Sequence, residues 1–263
     1  MSKSVFGTGE WAHKTANCVE GCSHGCHYCY ACANAIRFYR RLVGDWTREV
    51  PRPDMIARVC RGPCCRVMFP SAHDITPSNV GECLHAIAAM LRYGHRLLVV
   101  TKPHLECIKA ICDSAARDRK SDLLFRFTMG SADNVTLRLW EPYAPSFDER
   151  LAALQYAHGN GFQTSVSCEP MLDGNILAVV EQVEPLVTDA IWIGKANQMR
   201  QRLRINGAPP DVMKQAEVLM ALQSDDRIWD LYHQLEAHPK IKWKESIKKV
   251  LGLPVACQAG MDE

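Results

Sequence analysis

The stretch Cys18-Val-Glu-Gly-Cys22-Ser-His-Gly-Cys26-His-Tyr28-Cys29-Tyr30 is the most informative part of the chain. Within it, Cys22, Cys26 and Cys29 are separated by three and then by two residues. Three thiolates can bind three irons of a cubane iron–sulfur cluster and leave the fourth iron open for a reaction. Neither Cys18 nor Cys32 completes a second set with the same spacing. We therefore predict a [4Fe-4S] cluster at Cys22, Cys26 and Cys29.

A zinc site is the main alternative for the same cysteines. Structural zinc takes four ligands, and Cys18, His27 or Cys32 could supply the fourth. Such sites commonly pair two cysteine knuckles that are well separated in sequence. The nearest further pair, Cys60 and Cys64, is separated by three residues and does not form a second Cys-x2-Cys knuckle. The spacing therefore favours the cluster over zinc.

The composition is ordinary for a globular protein. The chain has 263 residues, of which 47% are hydrophobic and 23% are charged. Its formal net charge of +2 does not favour a general electrostatic attraction to nucleic acid. The sequence contains no apolar run of membrane-spanning length and no apolar signal-peptide core at residues 1–7. We expect a cytoplasmic protein whose thirteen cysteines are mostly reduced thiols.

Short apolar runs alternate with amphipathic stretches along most of the chain. A short strand is expected to lead into Cys18, and further strands are predicted at residues 66–71, 96–101, 123–128, 163–168 and 190–194. Helices are predicted at residues 79–91, 104–116, 146–159 and 175–187. Because strands and helices alternate and the strands are apolar throughout, they predict an α/β fold with a parallel sheet covered by helices.

Six such units can form a partial (β/α)6 TIM-like barrel, and we predict this core for residues 1–197. Residues 198–263 are predicted to form a C-terminal helical extension packed on the core. It would contain a basic loop at 198–207 and helices at 210–222, 228–236 and 243–251. Reactions in such barrels take place at the carboxyl ends of the strands. Polar residues collect there in this sequence: Ser71, His73, Asp74, Thr101, Lys102, Thr128, Ser131, Glu169 and Lys195.

The cysteine stretch is typical of the radical SAM superfamily. Further motifs make the chain similar to the spore photoproduct lyase-like branch and to phage-associated Gp37/Gp68-type radical SAM proteins. These motifs are Val100-Thr-Lys102-Pro, Phe125-Arg-Phe-Thr128, Glu141-Pro-Tyr-Ala-Pro-Ser-Phe-Asp-Glu-Arg-Leu151 and Ser167-Cys-Glu169-Pro-Met-Leu. The resemblance covers about residues 17–197.

The resemblance implies a [4Fe-4S] cluster whose open iron binds S-adenosylmethionine (SAM). An electron donor such as flavodoxin or ferredoxin would reduce the cluster. Reductive cleavage of SAM to methionine and a 5′-deoxyadenosyl radical would follow, and that radical would abstract hydrogen from a substrate. The sequence does not identify the substrate, for which a nucleic acid or a nucleotide is one candidate. The alternative function is a zinc- or cluster-binding protein that interacts with nucleic acid or transfers electrons without SAM chemistry.

The resemblance also implies roles for individual residues. Lys102 would face the SAM carboxylate, and Thr128 would hydrogen-bond SAM. Tyr28 would present its backbone near the adenine, and Ser131 is a candidate for the ribose. The alternative for Thr128 and Ser131 is a hydroxyl that is hydrogen-bonded within the protein. The alternative for Lys102 is a solvated side chain.

Three further residues at strand ends are candidate catalytic groups. Spore photoproduct lyases carry a hydrogen-donating cysteine shortly after the second strand, but residues 69–74 of this chain contain no cysteine. We therefore do not expect the same reaction. His73 could bind the SAM amino group or titrate near the substrate, or form a loop hydrogen bond. Cys168 could donate hydrogen or pack in the core, and Glu169 could orient substrate or pair with Lys195.

A second group of cysteines, Cys60, Cys64 and Cys65, is a candidate auxiliary iron–sulfur site. Three thiols would need a fourth ligand from elsewhere. The alternative is that these cysteines pack as small hydrophobic residues.

Overall fold

The computed structural model describes residues 7–62 and 64–260. Seven parallel strands form one sheet in the order β1-β4-β5-β6-β7-β8-β9, and β2 and β3 form a separate antiparallel pair. The strands are β1 (Lys14–Thr15), β2 (Val19–Glu20), β3 (Val50–Pro51), β4 (Arg66–Phe69), β5 (Arg96–Thr101), β6 (Leu123–Thr128), β7 (Gln163–Cys168), β8 (Ile191–Ile193) and β9 (Ile241–Trp243).

Helices connect the parallel strands and cover the sheet. They are α1 (Tyr30–Arg37), α2 (Pro53–Cys60), α3 (Val80–Arg92), α4 (Leu105–Cys112), α5 (Asn134–Trp140), α6 (Phe147–Gly159), α7 (Leu177–Val183), α8 (Met199–Asn206), α9 (Pro210–Leu222), α10 (Asp225–Leu235) and α11 (Glu245–Leu251). In the part of the chain that the structure describes, no helix is long and apolar enough to cross a membrane.

The predicted α/β architecture with a parallel sheet is confirmed. All six predicted strands are present, and β5, β6 and β7 have the predicted bounds. The hydroxyl of Ser146 caps α6 by accepting a hydrogen bond from the backbone N–H of Glu149 at 3.2 Å. This hydrogen bond is one half of a capping box, in which a Ser at the N-cap is followed three residues later by Glu.

Two predictions for the C-terminal region are wrong. Residues 199–206 form helix α8 instead of a basic loop, because Met199 and Leu203 bury one side of it. The helix predicted from residue 243 begins at Glu245, because residues 241–243 pair with β8 as a seventh parallel strand. The division of the chain at residue 197 stays a prediction, and the structure adds one strand of the main sheet beyond it.

Alternation along the strands separates two cores. Met68, Leu98, Leu124 and Trp192 point to the concave side of the sheet and pack around Trp11. The residues between them point to the helices, as Phe69, Val99, Phe125 and Ile193 do. Because successive strand residues face opposite sides, this alternation decides which strand-end side chains can reach a cavity inside the barrel.

The sheet is open between its edge strands β1 and β9. Lys244, directly after β9, spans this opening to the segment before β1. Its ammonium lies 2.8 Å from a carboxylate oxygen of Glu10 and 3.8 Å from the centre of a Trp11 ring. Both Lys244 and Glu10 are buried, so the two edges are joined by a buried ion pair.

Candidate active site

A cavity of about 750 Å³ lies at the carboxyl ends of the strands. Residues that follow or end β4 to β7 line one side of it, among them Lys102, Thr128 and Ser167. Of the thirteen cysteines, all of which the structure describes, Cys22, Cys26 and Cys29 line the cavity. The three predicted cluster ligands therefore face one volume, which is within the usual range for a bound small molecule.

Two glycines allow the tight path of the cysteine loop. Gly21 has a φ of +102°, and a Cβ there would lie 2.4 Å from the carbonyl oxygen of Arg48. Gly25 has a φ of +59°, and a Cβ there would lie 2.9 Å from the ring of Tyr143. A side chain at either position would meet both a close neighbour and an unfavourable backbone conformation.

Hydrogen bonds from distant elements fix the same loop. The backbone N–H of Cys22 donates to the carbonyl of Trp46 at 2.9 Å, and that of His27 donates to Trp140 at 3.0 Å. The amide of Asn206, on α8, donates to the carbonyls of His27 at 2.8 Å and Cys29 at 3.0 Å. Helices α5 and α8 therefore help to hold the loop in place.

The donor chemistry of the loop fits an iron–sulfur cluster. Burial raises the pKa of the thiols of Cys22, Cys26 and Cys29. Negative charge on Asp74 and on neighbouring sulfurs raises the pKa of Cys22 further. Three buried thiolates need a compensating positive charge. Iron would supply this charge, and its binding would release the thiol protons.

Lys102 and Asp74 form a buried ion pair beside the loop. The Lys102 ammonium lies 3.3 Å from the Asp74 carboxylate and 4.0 Å from that of Glu141. Asp74 also accepts hydrogen bonds from the Lys102 backbone N–H at 2.7 Å and from the Thr101 hydroxyl at 2.9 Å. Burial alone raises the pKa of Asp74, but Lys102 and His24 outweigh it and hold that pKa well below its usual range. The lysine charge is therefore already offset within the protein.

Glu141 and Arg150 explain the motif that joins α5 to α6. Their side chains are fully buried as an ion pair, and the Tyr28 hydroxyl donates a hydrogen bond to Glu141. Arg150 also donates to the backbone carbonyl of Thr128 at 3.1 Å. The pair thus connects the cysteine loop to the end of β6.

Cys22, His24 and Asp74 also form a small cluster of metal-binding side chains. One ligand atom from each lies within 4.8 Å of the others. His24 is already hydrogen-bonded on both ring nitrogens, to Asp74 at 3.1 Å and to His104 at 3.0 Å. A sulfur, nitrogen and oxygen set of this kind suits zinc, so metal analysis of the protein must distinguish zinc from iron.

The structure brings most of the predicted SAM-binding residues to the cavity. Tyr28, Lys102 and Thr128 line it. Ser131 is not among the lining residues. It is buried, donates its hydroxyl hydrogen bond to Asp173 and accepts one from the backbone N–H of Asp133 at 2.9 Å. The roles of all four residues toward SAM stay predictions.

Of the predicted catalytic residues, His73 lines the cavity, and Cys168 does not. The His73 ring bonds the carbonyl of Asp74 at 2.9 Å and lies 3.3 Å from the backbone nitrogen of Cys18. Cys168 is fully buried in the core between sheet and helices, because its neighbour Ser167 is the residue on the concave side. The geometry therefore supports the packing alternative for Cys168.

Glu169, the third predicted catalytic residue, also lines the cavity. One alternative predicted an ion pair between Glu169 and Lys195, and the structure does not show that pair. Its carboxylate lies 3.3 Å from the Lys244 ammonium, and Lys195 pairs with Asp225 at 3.1 Å.

The three cysteines of the candidate auxiliary site, Cys60, Cys64 and Cys65, do not line the cavity. Cys60 is buried at the end of α2, and Cys64 is exposed and donates a weak hydrogen bond to the carbonyl of Tyr93 at 3.0 Å. An auxiliary cluster there stays a prediction.

Three further residues of the cavity, Ser167, Tyr30 and Arg202, lie outside the set of predicted site residues. Ser167 could have been found from strand alternation, since it lies one residue before Cys168. Tyr30 donates its hydroxyl hydrogen bond to the carbonyl of Ser71, across the cavity. Arg202 reaches the same cavity from α8, and its segment was predicted to be a loop.

No protein-family model and no curated protein matches the sequence. Solved structures do match. Spore photoproduct lyase complexed with dinucleoside spore photoproduct has a TM-score of 0.58 at 16% identity, covering 92% of this chain and 79% of that one. A mutant of that lyase with bound AdoMet and dinucleoside spore photoproduct has a TM-score of 0.57 at 19% identity, covering 82% and 64%.

A protein of a different kind matches as well. Streptococcus suis SuiB bound to S-adenosylmethionine has a TM-score of 0.54 at 10% identity, covering 94% of this chain and 54% of that one. Both neighbours are radical SAM enzymes. At these identities the likeness establishes the fold, and this chain therefore has the partial TIM barrel found in spore photoproduct lyase and SuiB.

Proposed function

We propose that this protein is a radical SAM enzyme. The observation that carries the proposal is that Cys22, Cys26 and Cys29 all face one cavity at the carboxyl ends of the strands. The neighbours with bound SAM support it, because they share the fold. A [4Fe-4S] cluster on these cysteines, with SAM bound, would supply a 5′-deoxyadenosyl radical that abstracts hydrogen from the substrate.

The residues around the loop would prepare the site. Cys22, Cys26 and Cys29 would hold the cluster as thiolates. Lys102 would keep a positive charge beside it, because burial lowers its pKa but the Asp74, Cys26, Tyr28 and Glu141 charges raise it well above the usual value. The wall that Thr128 and Ser167 form would exclude water and offer hydroxyl groups to SAM.

The substrate is proposed to be a nucleic acid or a nucleotide. One neighbour binds a dinucleoside spore photoproduct, which supports this class. The lyase reaction itself is not proposed, since residues 69–74 provide no cysteine as hydrogen donor. The proposed electron donor is a small redox protein such as flavodoxin or ferredoxin.

Anaerobic purification with metal analysis tests the proposal. We expect about four irons and four sulfides per chain, and 5′-deoxyadenosine from SAM when a strong reductant is added. Replacement of Cys22, Cys26 or Cys29 by serine should remove the cluster absorbance. The matched control Cys32→Ser changes a buried cysteine three residues after Cys29 and should keep it.

Other outcomes would contradict the proposal in distinguishable ways. Zinc in a colourless protein would favour a zinc site, either at Cys22, Cys26 and Cys29 or at Cys22, His24 and Asp74. A redox-active cluster that leaves SAM intact under strong reductant would favour an electron-transfer protein.

A further inference from the structure

The charged groups that line the cavity are unevenly paired. Each carboxylate of the lining has a lysine partner: Asp74 lies 3.3 Å from Lys102, Glu10 and Glu169 lie 2.8 and 3.3 Å from Lys244, and Glu245 contacts Lys249. Lys195, also in the lining, pairs with Asp225 at 3.1 Å. Two lining cations, Arg37 and Arg202, remain.

Neither arginine side chain has a hydrogen bond or an ion pair within residues 7–62 and 64–260. Arg202 is half-buried, and its guanidinium lies 5.9 Å from the centre of the Tyr30 ring. Arg37, at the end of α1, is exposed at the rim. A guanidinium has five N–H donors. The negative charge of Glu169 acts on Arg202, but no described protein group accepts from its N–H donors, and a bound anion would supply such acceptors.

The beginning of α8 adds further donors to the same wall. Asn197, Gln198, Gln201 and Arg202 all line the cavity. Gln198 precedes the helix in the left-handed conformation, with a φ of +53°, and no side chain caps the helix there. The first N–H groups of an uncapped helix carry partial positive charge and favour an anion. Arg202 and the first turn of α8 therefore bring a positive charge and neutral hydrogen-bond donors to the same side of the cavity.

The position of Arg37 indicates where the anion would lie. Arg37 is seven residues after Tyr30 on α1, which corresponds to about 10 Å along the helix. Arg202 lies beside Tyr30, at the end of α1 that adjoins Cys29, and Arg37 lies at the other end of the same helix. Both arginines line the cavity. Planar guanidinium groups bind phosphate through paired N–H donors.

We propose that Arg202, with the first turn of α8 and with Arg37 at the rim, binds a phosphate group of the substrate. This inference rests on the proposed function, which identifies the cavity as the active site. It narrows the substrate to a phosphate ester. It also assigns recognition to α8, which lies outside the motifs shared with the family that the sequence resembles.

Isothermal titration calorimetry with inorganic phosphate tests the inference. The protein carries its reconstituted cluster and saturating SAM, without reductant, so that the SAM site is filled and no turnover occurs. We expect phosphate to bind the unaltered protein. Arg202→Gln should lower the affinity for phosphate by about tenfold or more, because a charge-assisted hydrogen bond is lost. Arg202→Lys should restore part of the affinity, because it keeps the charge without the paired donors.

The matched control is Arg204→Gln, which removes the same charge from an exposed position on α8 that does not line the cavity. It should leave phosphate affinity within about twofold, since Arg204 is exposed and side chains two residues apart on a helix do not face each other. Equal losses in Arg202→Gln and Arg204→Gln would overturn the inference, as would absence of phosphate binding by the unaltered protein. Acetate in place of phosphate is a second probe, and tighter binding of acetate would overturn the phosphate assignment.

A SAM titration of the same variants identifies the source of the anion. If Arg202→Gln lowers SAM affinity tenfold and leaves phosphate binding unchanged, the arginine holds the SAM carboxylate and the inference is wrong. Failure of the proposed function looks different: the protein then contains no cluster or does not cleave SAM. Phosphate binding can be measured on that protein as purified.

Discussion

Glu49 is the carboxylate that fixes the cysteine loop against the segment after β4. It accepts hydrogen bonds from the backbone N–H of Ser23 at 2.9 Å, the hydroxyl of Ser78 at 2.7 Å and the amide of Asn79 at 3.0 Å. Burial alone raises the pKa of Glu49, but hydrogen bonds from Ser23, Ser78 and Thr76 outweigh it and lower the pKa below the usual value. The folded protein therefore stabilises the ionised carboxylate.

Glu49→Gln should lower the free energy of unfolding at pH 7 by about 1–2 kcal/mol, as lost hydrogen bonds to a charged group do. Because the folded pKa lies below the unfolded value of about 4.3, the contribution is present above that value and is lost as the pH falls through the folded pKa. Urea unfolding at pH 7 and pH 3.5 measures this. The exposed Glu181→Gln serves as control. An equal loss at both pH values would contradict the explanation.

Gly25 offers a second test at the scale of one residue. Gly25→Ala places a methyl group 2.9 Å from the Tyr143 ring in a left-handed backbone, so the loop must shift. We expect less iron to be retained after reconstitution, measured per chain, while Gly81→Ala, where a Cβ meets nothing within 4 Å, retains the full amount. Full iron content in Gly25→Ala would show that the loop tolerates the shift.

At the scale of elements, the ion pair of Glu141 and Arg150 joins α5, α6 and the end of β6. Both side chains are fully buried. Glu141→Gln leaves the charge of Arg150 unpaired, and we expect a loss of about 3–5 kcal/mol in the free energy of unfolding. Urea unfolding measures it.

The exposed pair Arg200 and Glu217 provides the comparison for this prediction. Glu217→Gln should lower the free energy of unfolding far less, because water can solvate the exposed guanidinium of Arg200 once the carboxylate is gone. If Glu141→Gln is no more destabilising than Glu217→Gln, Arg150 finds another counter-charge, and the role given to the buried pair is wrong.

The sequence was sufficient to predict β5, β6 and β7, because each is a continuous apolar run between polar breaks. It did not reveal β9, whose three residues form a strand only because β8 lies beside them. It also missed α8, whose buried side depends on Met199 and Leu203 among charged residues. Short elements are decided by their neighbours in space, which a single sequence does not display.

The same limit applied to the site. The spacing of Cys22, Cys26 and Cys29 was enough to place all three on one cavity. The sequence left open whether Cys168 points into the barrel or packs in the core, and it did not single out Ser167, which lines the cavity. The pairing of Lys102 with Asp74 was missed, because it joins the ends of two different strands.

At the scale of the whole molecule, Lys244 joins the two open edges of the barrel. Lys244→Met keeps the length of the side chain but leaves the buried carboxylate of Glu10 without its partner. We expect a loss of about 3–5 kcal/mol in the free energy of unfolding. Amide hydrogen exchange should also become faster in residues 7–15 and 241–247.

Lys214→Met, on the exposed side of α9, is the control for this change. It should alter neither unfolding nor exchange. Faster exchange in β5 and β6 alone, with the edges unaffected, would mean that Lys244 does not act as the link between them.

Asn206 has a consequence for how the protein is made. The carbonyls of His27 and Cys29 receive their hydrogen bonds from a side chain 179 and 177 residues later in the chain. At 5–20 residues per second, a ribosome needs roughly 10–35 seconds to cover that distance. Throughout that interval the cysteine loop lacks these two hydrogen bonds, because Asn206 has not been synthesised. The proposed cluster would therefore find its loop fully anchored only after residue 206 has been synthesised.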